Sequence, residues 1–258
     1  MPNGGADCCG TCCFNSLNEG KHIPICVGKK GIMKCIIRDI EILRPFFTYC
    51  ANHPRHNRSE IDLPIGPVFI ADLENKSYRR IVWLKPSDNE NIRLKLLSLL
   101  NDISNEIEQK YPTQTSFEEE IINQLLENNE KRAIPSLLKI INMDIEKYRF
   151  WDNSKFESKM VKNKAIIVGL AIEALLILSG DEYLSDLEKF INIGLENIEG
   201  GYNSKLDNFS IIRYHLVRGL KFLENKKSVE LLNIAKEDLH DEVKAFAIDI
   251  LNDKIIRN

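Results

Sequence analysis

Cysteines are confined to one end of this chain, and this distribution limits how the fold can be held together. All of them lie within the first 50 residues of a 258-residue sequence. A disulfide network through the whole protein is therefore excluded, and a local device near the N-terminus is indicated. The count of seven is odd, so any full pairing scheme leaves a thiol over. The cysteines are Cys8, Cys9, Cys12, Cys13, Cys26, Cys35 and Cys50.

The sequence predicts a cytoplasmic protein without a membrane partner. Its first twenty residues lack the basic start and apolar run of a secretory signal. The longest apolar stretch, 165–178, is interrupted by Glu173 and is shorter than the ~20 residues of a membrane span. In the cytoplasm, clustered cysteines are more often metal ligands or redox groups than disulfides.

The composition changes near Pro86. Residues 1–86 hold every cysteine and carry a formal charge of +4, whereas residues 87–258 carry −7. Neither charge is extreme enough to require a nucleic acid or another highly charged partner. We predict a small, irregular α+β, cysteine-rich, metal-binding domain over 1–86 and a helical domain over 87–258. The strand candidates of the first domain are Ile32–Ile37, Val68–Ala71 and Arg80–Leu84.

Apolar side chains at helical spacing fill the second domain, which makes the fold mainly α. Two capping boxes mark helix starts, Ser87-Asp-Asn-Glu90 and Ser116-Phe-Glu-Glu119. Gly180 and Asn225 stand at predicted helix ends. The predicted helices cover about residues 92–103, 116–126, 134–149, 157–179, 183–198, 207–224, 227–237 and 241–255.

These helices contain a predicted internal repeat. Leu178-Ser-Gly-Asp-Glu-Tyr-Leu184 aligns with Leu223-Glu-Asn-Lys-Lys-Ser-Val229 at an offset of 45 residues. In both segments an apolar helix end is followed by a polar turn and a new apolar helix. Residues 126–133 give a looser third copy. A period of about 40–47 residues with two helices per unit is typical of HEAT and armadillo repeats.

The last unit carries the clearest resemblance to a known family. A helix, a short polar turn and a second helix are followed by Asp241, Val243 and Lys244 at the start of the next helix. This pattern resembles HEAT-like repeats, and the resemblance covers roughly residues 116–255. It implies C-terminal α-α superhelical repeats, because one helical unit cannot bury its apolar face alone. In the last helix we expect Asp241 to act as the cap and four side chains to face the core: Val243, Ala247, Ile250 and Leu251.

Candidate metal ligands occur in two pairs with the same spacing. Cys9-Gly-Thr-Cys12 is a C-x-x-C knuckle, in which Gly10 permits a tight turn, and Cys50-Ala-Asn-His53 is the second pair. We favour a four-thiolate site, with His53 as a substitute ligand, because Cys35 lies on a predicted strand of the same domain. Structural zinc is preferred over an iron–sulfur cluster. A set of buried thiols without metal is the alternative. The favoured ligands are Cys9, Cys12, Cys35 and Cys50.

A second resemblance concerns the N-terminal segment. The matching stretches are 1–5, 9–12, 14–15, 35–38, 48–52 and 64–67. They resemble an uncharacterised bacterial Cys-containing, zinc-ribbon-like domain over about the first 70–85 residues. The resemblance implies the same four cysteines and carries no activity with it.

These features favour a non-enzymatic interaction protein that binds another protein through a HEAT-like helical surface. No P-loop, G-x-G-x-x-G or H-E-x-x-H motif occurs. One alternative is a thiol redox or metal-dependent enzyme centred on the N-terminal cysteines, although a redox C-x-x-C pair normally follows a strand. Another alternative is a nucleic-acid-associated zinc module that uses basic residues on phosphates. Its candidate residues are Lys29, Lys30, Arg55, Arg58, Arg79 and Arg80.

Overall fold

A computed structural model describes residues 8–21, 26–37, 39–50, 68–72, 77–81, 90–107, 115–145, 155–195 and 207–257. The structure is mainly helical, as predicted. None of the helices within these ranges is both long and apolar enough to cross a bilayer. The chain divides into two compact units, which are Met1–Leu99 with Ser116–Asn128, and Leu100–Thr115 with Asn129–Asn258. The predicted domain boundary between residues 86 and 87 lies outside the described residues.

The first unit contains short antiparallel strands. A two-stranded sheet pairs β1 with β2, and a three-stranded sheet has the order β3-β4-β5. The strand predicted over 32–37 is limited to two residues, since Asp39 turns the chain with a φ of 51°. The other two predicted strands correspond to β4 and β5, although residues 82–84 of the second lie outside the described ranges. The strands are β1 Lys34–Cys35, β2 Ile40–Glu41, β3 Thr48–Cys50, β4 Val68–Asp72 and β5 Ser77–Ile81.

Helices account for most of the remaining described residues. The helix predicted from the second capping box begins at Ser116, and the helix after the first box begins at Glu90. Ser87 of that first box is outside the described residues. The helices are α1 Glu90–Glu106, α2 Ser116–Glu127, α3 Ile134–Ile141, α4 Lys155–Ser179, α5 Leu184–Leu187, α6 Ser210–Leu220, α7 Lys226–Ala235 and α8 Asp241–Arg257, with 3-10 turns at Lys131–Ala133 and Glu188–Phe190.

Three of the helix predictions were too long. Of the helix predicted over 207–224, only Ser210–Leu220 is helical. The segment predicted as one helix over 183–198 contains α5, a 3-10 turn and a further turn through Gly194, and its residues 196–198 lie outside the described ranges. The reason is tertiary, because Arg213 Nη1 donates to the Ile193 carbonyl at 2.7 Å, and Phe209 packs over Gly194. The helix predicted over 134–149 ends at Ile141, and its last residues, 146–149, are outside the described ranges.

In the second unit, α4 is the central helix. It packs against α3 and α6, and α6 in turn packs against α8. Contact on several sides explains why its long apolar run is buried almost all round. Close approach of α4 and α6 depends on two glycines: a Cβ at Gly169 would lie 2.8 Å from the His215 ring, and one at Gly219 would lie 2.6 Å from Leu176. Helix α7 packs against α6 and α8.

The last helix follows the sequence prediction closely. It begins at Asp241, which is its first helical residue rather than the predicted cap, because the Lys244 amide donates to the carbonyl of His240. The Asp241 carboxylate lies in the first turn, where it interacts favourably with the helix dipole. The residue before it, His240, donates its backbone amide to Asp238 Oδ1 at 2.7 Å. Three of the four predicted core residues are buried, namely Val243, Ala247 and Ile250, whereas Leu251 is half-buried.

Candidate functional site

Three segments of the first unit interlock around the N-terminal cysteines. The backbone amide of Cys9 donates to Thr48 O at 2.9 Å, and that of Ile36 donates to Phe14 O at 2.9 Å. A β-bridge also pairs Asn15 with Cys35. The segments that carry the four predicted ligands therefore belong to one local structure. Cys50 ends strand β3, which contains Thr48.

Gly10 lies in a tight turn, as predicted, in which the Thr11 amide donates to Cys8 O at 3.0 Å, and the structure adds a steric requirement for glycine. Its Cβ would lie 2.5 Å from the Phe46 ring, so the aromatic side chain leaves no space for a larger residue. The Gly10 amide also donates to Pro45 O at 2.7 Å. Ring packing, rather than an unusual turn conformation, thus fixes this position.

Two buried asparagines bind the carbonyl groups of the cysteine loop. Asn15 Nδ2 donates to Cys9 O at 3.0 Å. Asn18 Nδ2 donates to Gly10 O at 2.9 Å and Cys12 O at 3.0 Å, while its Oδ1 accepts from the Cys26 amide at 3.0 Å. These bonds help to fix the path of the loop. Neither amide was predicted from the sequence to be structural, and asparagines within a Gly- and Cys-rich loop are the signal that points to them.

The described thiols form two neighbourhoods. Cys12, Cys13 and Cys35 interact electrostatically, and the pKa of Cys13 is raised by burial and by the neighbouring Cys12 thiol. Cys26 donates its thiol proton to Gly10 O at 3.5 Å, and burial, together with Cys8, raises its pKa. Cys13 was treated as a spare thiol from the sequence; in the structure it is buried, hydrogen-bonded to its chain neighbour Cys12 and within electrostatic range of Cys35.

The four-thiolate site stays a prediction. Among the described residues, no group of three or more His, Cys, Asp or Glu side chains is arranged to hold a metal ion. His53, the substitute ligand, lies outside the described residues. The residue types fit zinc, since thiols bind it once they lose their protons, and a cation would oppose the effects that raise the Cys13 pKa.

The basic residues of the nucleic-acid alternative are spread over several elements. Lys29 forms an ion pair with Glu19, which lowers the pKa of that carboxyl, and Lys30 is exposed. Arg79 and Arg80 are adjacent on β5. Arg55 and Arg58 lie outside the described residues. The ion pair on Lys29 reduces the charge that this loop offers to a phosphate.

Charged side chains bridge α4 and α6. Glu173 is buried in α4, where its Oε2 lies 2.7 Å from His215 Nδ1 and its Oε1 lies 3.2 Å from Arg218 Nη2. The carboxylate that interrupts the long apolar stretch therefore joins two helices. His215 is buried here, against Glu173 and the Cα of Gly169.

A second polar cluster centres on Arg213, which is fully buried. Its guanidinium donates to Asp238 Oδ2 at 2.7 Å and to Asp207 Oδ2 at 2.6 Å. Asp207 also accepts the Ser210 amide at the start of α6, at 3.1 Å. One arginine thus joins the segment before α6 to the turn between α7 and α8, and the two carboxylates raise its pKa.

The turns predicted as repeat equivalents lie side by side. Asn225 Nδ2 donates to Asp181 Oδ2 at 3.1 Å, and Lys227 Nζ lies 2.8 Å from Glu188 Oε2. Asn225 also caps α7 by accepting the Ser228 amide at 2.7 Å. A hydrogen bond thus joins the two turns that the sequence aligns, although the bonded residues are 44 positions apart and are not the pair that the 45-residue offset matches.

No family model, curated protein or solved structure matches this chain. Function is consequently inferred from the chain's own residues.

Proposed function

We propose that this protein is a non-enzymatic interaction protein whose HEAT-like helical stack binds another protein. The observation that carries this proposal is the alternation of helix contacts in the second unit. Helices α4, α6 and α8 contact one another in succession, while α3 and α7 pair with α4 and α8. Stacked helix pairs of this kind present an extended surface, which is how solenoid proteins engage partners.

Contacts between repeated turns support the stacked arrangement. In a stack, equivalent turns of successive units are neighbours, and the bond from Asn225 to Asp181 joins such turns. Buried bridges add to this arrangement, since Glu173 joins α4 to α6 and Arg213 joins α6 to the turn before α8. These groups fix the shape of the stack and so the surface that it offers.

A structural zinc ion held by the N-terminal unit is the second part of the proposal. The interlocked segments around Cys9 and Cys35 support it, as does the position of Cys50 on β3. A small domain with short strands gains stability from such a ligand set. Under this proposal zinc holds the first unit together, and the partner binds the helical unit. The ligands are Cys9, Cys12, Cys35 and Cys50.

Photo-crosslinking of the full-length protein tests the binding function. A photoreactive amino acid replaces Tyr214 on α6 in one variant and Lys29 of the first unit in the control. We expect a protein to cross-link from position 214, and the same protein, once purified, to bind the unmodified chain saturably in calorimetry. Cross-links from position 29 alone, or cross-links to RNA or DNA, would contradict the proposal.

Metal analysis tests the zinc site separately. We expect about one zinc per chain, bound tetrahedrally by thiolates. Cys50→Ser should lose the zinc and the hydrogen-exchange protection of the first unit, because binding energy is then folding energy. Cys26→Ser is the matched control and should keep the metal. Absence of zinc from the wild-type protein, or full retention in Cys50→Ser, would remove this part of the proposal.

A further inference from the structure

Helix α4 leaves one narrow stripe of its surface accessible. Between Val161 and Leu178, only Lys162, Ile166, Leu170 and Ile177 are not buried. Their spacing of four, four and seven residues places them on one face. Three of the four are large apolar side chains, so this face is chemically unlike a solvated helix surface.

Helix α6 has a corresponding stripe. Within Ser210–Leu220 the positions that are not buried are Ile211, Tyr214 and Arg218, at spacings of three and four residues. The α4-facing side of α6 is marked by Gly219, and the stripe lies beside that contact. The exposed side of α6 is therefore also partly apolar and aromatic.

Helix α8 adds an acidic border. Phe246 is half-buried, and Glu242, Asp249 and Asp253 are exposed at positions four before, three after and seven after it. This spacing puts the three carboxylates on the same side of α8 as Phe246.

Side-chain contacts join the three stripes into one surface. Glu173 is buried, but its position between Leu170 and Ile177 puts it on the same side of α4 as the stripe, and its Oε1 lies 3.2 Å from Arg218 Nη2. The Tyr214 ring is 5.3 Å from the Phe246 ring on α8. We call this surface the α4–α6–α8 face. Its residues are Lys162, Ile166, Leu170, Ile177, Ile211, Tyr214, Arg218, Glu242, Phe246, Asp249 and Asp253.

The charges on this face indicate what kind of partner binds it. Arg218 is paired with Glu173, so the centre of the face is close to neutral, whereas the α8 side carries three exposed carboxylates. An apolar centre with an acidic border complements a helix that is apolar on one side and basic beside it. Three helices at spacings of about 8–10 Å give a face about 20 Å across, which matches about 14 residues of helix.

We propose that the α4–α6–α8 face binds a basic amphipathic helix of a partner protein. Apolar side chains of the partner pack on Leu170, Ile211 and Tyr214, and its lysine or arginine residues face the α8 carboxylates. This inference rests on the proposed binding function and assigns that function a surface and a partner class.

A model peptide tests the inference with the full-length protein. The probe is a 14-residue leucine–lysine peptide with leucine at i, i+3, i+4 and i+7, and its counterpart carries glutamate in place of lysine. We expect saturable binding of the lysine peptide in fluorescence anisotropy, weakened by added salt. Equal or tighter binding of the glutamate peptide would overturn the inference.

Charge reversal locates the binding. The double variant Asp249→Lys, Asp253→Lys should weaken the lysine peptide about tenfold, because two attractive charges become repulsive. Glu224→Lys, Glu237→Lys makes the same change of net charge on the turns that flank α7, and it should alter affinity less than about twofold. Equal weakening by both double variants would show non-specific attraction and contradict the inference.

The apolar part of the face is tested by Ile166→Gln with Ile211→Gln, which replace half-buried side chains. We expect about tenfold or greater loss of binding with the unfolding midpoint retained. Unchanged binding would contradict the assigned face. If the photo-crosslinked partner binds normally to the Asp249→Lys, Asp253→Lys variant, the partner class is wrong while the binding function stands. If no partner binds the helical unit, both proposals fall.

Discussion

The N-terminal loops and the helical unit bury polar groups for different purposes. In the first unit, Asn15 and Asn18 donate to carbonyls of a loop that has little regular structure of its own. In the second unit, Glu173 and Arg213 bridge helices whose own backbone bonds are already made. Replacing one of these asparagines should therefore let the loop lose its conformation. Removing one partner of a charged bridge should instead leave the helices in place with an uncompensated charge between them.

The largest expected effect concerns Arg213. Arg213→Met keeps much of the side-chain volume but leaves Asp207 and Asp238 buried without their cation, so we expect a loss of about 3–5 kcal/mol in the free energy of unfolding. Chemical denaturation followed by circular dichroism measures it. The control is Arg218→Met, whose pair is partly exposed and should cost about 0.5–1 kcal/mol. Equal losses in the two variants would show that burial does not determine how much these bridges contribute to the free energy of unfolding.

Asn18→Ala should come next, with its effect confined to the first unit. It leaves two carbonyls and one amide of the cysteine loop without their partner, which we expect to cost about 2–3 kcal/mol. Hydrogen exchange read by mass spectrometry should show faster exchange near Gly10 and Cys26. Asn123→Ala makes the same chemical change at an exposed position of α2 and should leave exchange unaltered. Loss of protection throughout the second unit instead would mean that the two units do not unfold separately.

Gly219→Ala tests the close approach of α4 and α6. On an exposed helix surface, alanine is favoured over glycine by about 1 kcal/mol. Here the new methyl group would meet Leu176 at 2.6 Å, and we expect a net loss of about 1–3 kcal/mol. The control is Ala245→Gly at an exposed position of α8. It should lower the free energy of unfolding by about 1 kcal/mol, which is the ordinary difference in helix propensity between alanine and glycine. A stabilised Gly219→Ala would show that the helices separate easily.

The two units also differ in how far their structure follows from sequence. Long helices such as α4 and α8 were predicted nearly to their ends, because periodic apolar side chains and polar turns act locally. The segment 183–198 was predicted as one helix and is broken, since the Ile193 carbonyl is taken by Arg213, twenty residues away. Tertiary partners of this kind leave no periodic signal.

In the candidate metal site, too, contacts between residues distant in sequence could not be predicted. The spacing of Cys9 and Cys12 indicated a local site, but spacing does not reveal that the Cys13 thiol is buried and interacts electrostatically with Cys35. Strands of two or three residues, such as β2 and β3, are too short for alternation to be seen. The 45-residue offset did align two turns that a hydrogen bond joins, from Asn225 to Asp181, while the repeat itself stays a prediction.

The smallest expected effect separates a local cap from a contact between repeated turns. Asn225 caps α7 through Oδ1 and binds Asp181 through Nδ2. Asn225→Ala removes both bonds and should cost about 1–1.5 kcal/mol, whereas Asn225→Ser keeps a capping oxygen and should cost about 0.5 kcal/mol. Denaturant midpoints of the two variants give the difference. If serine and alanine are equally destabilising, the cap contributes little, and the contact between turns accounts for the stability at this position.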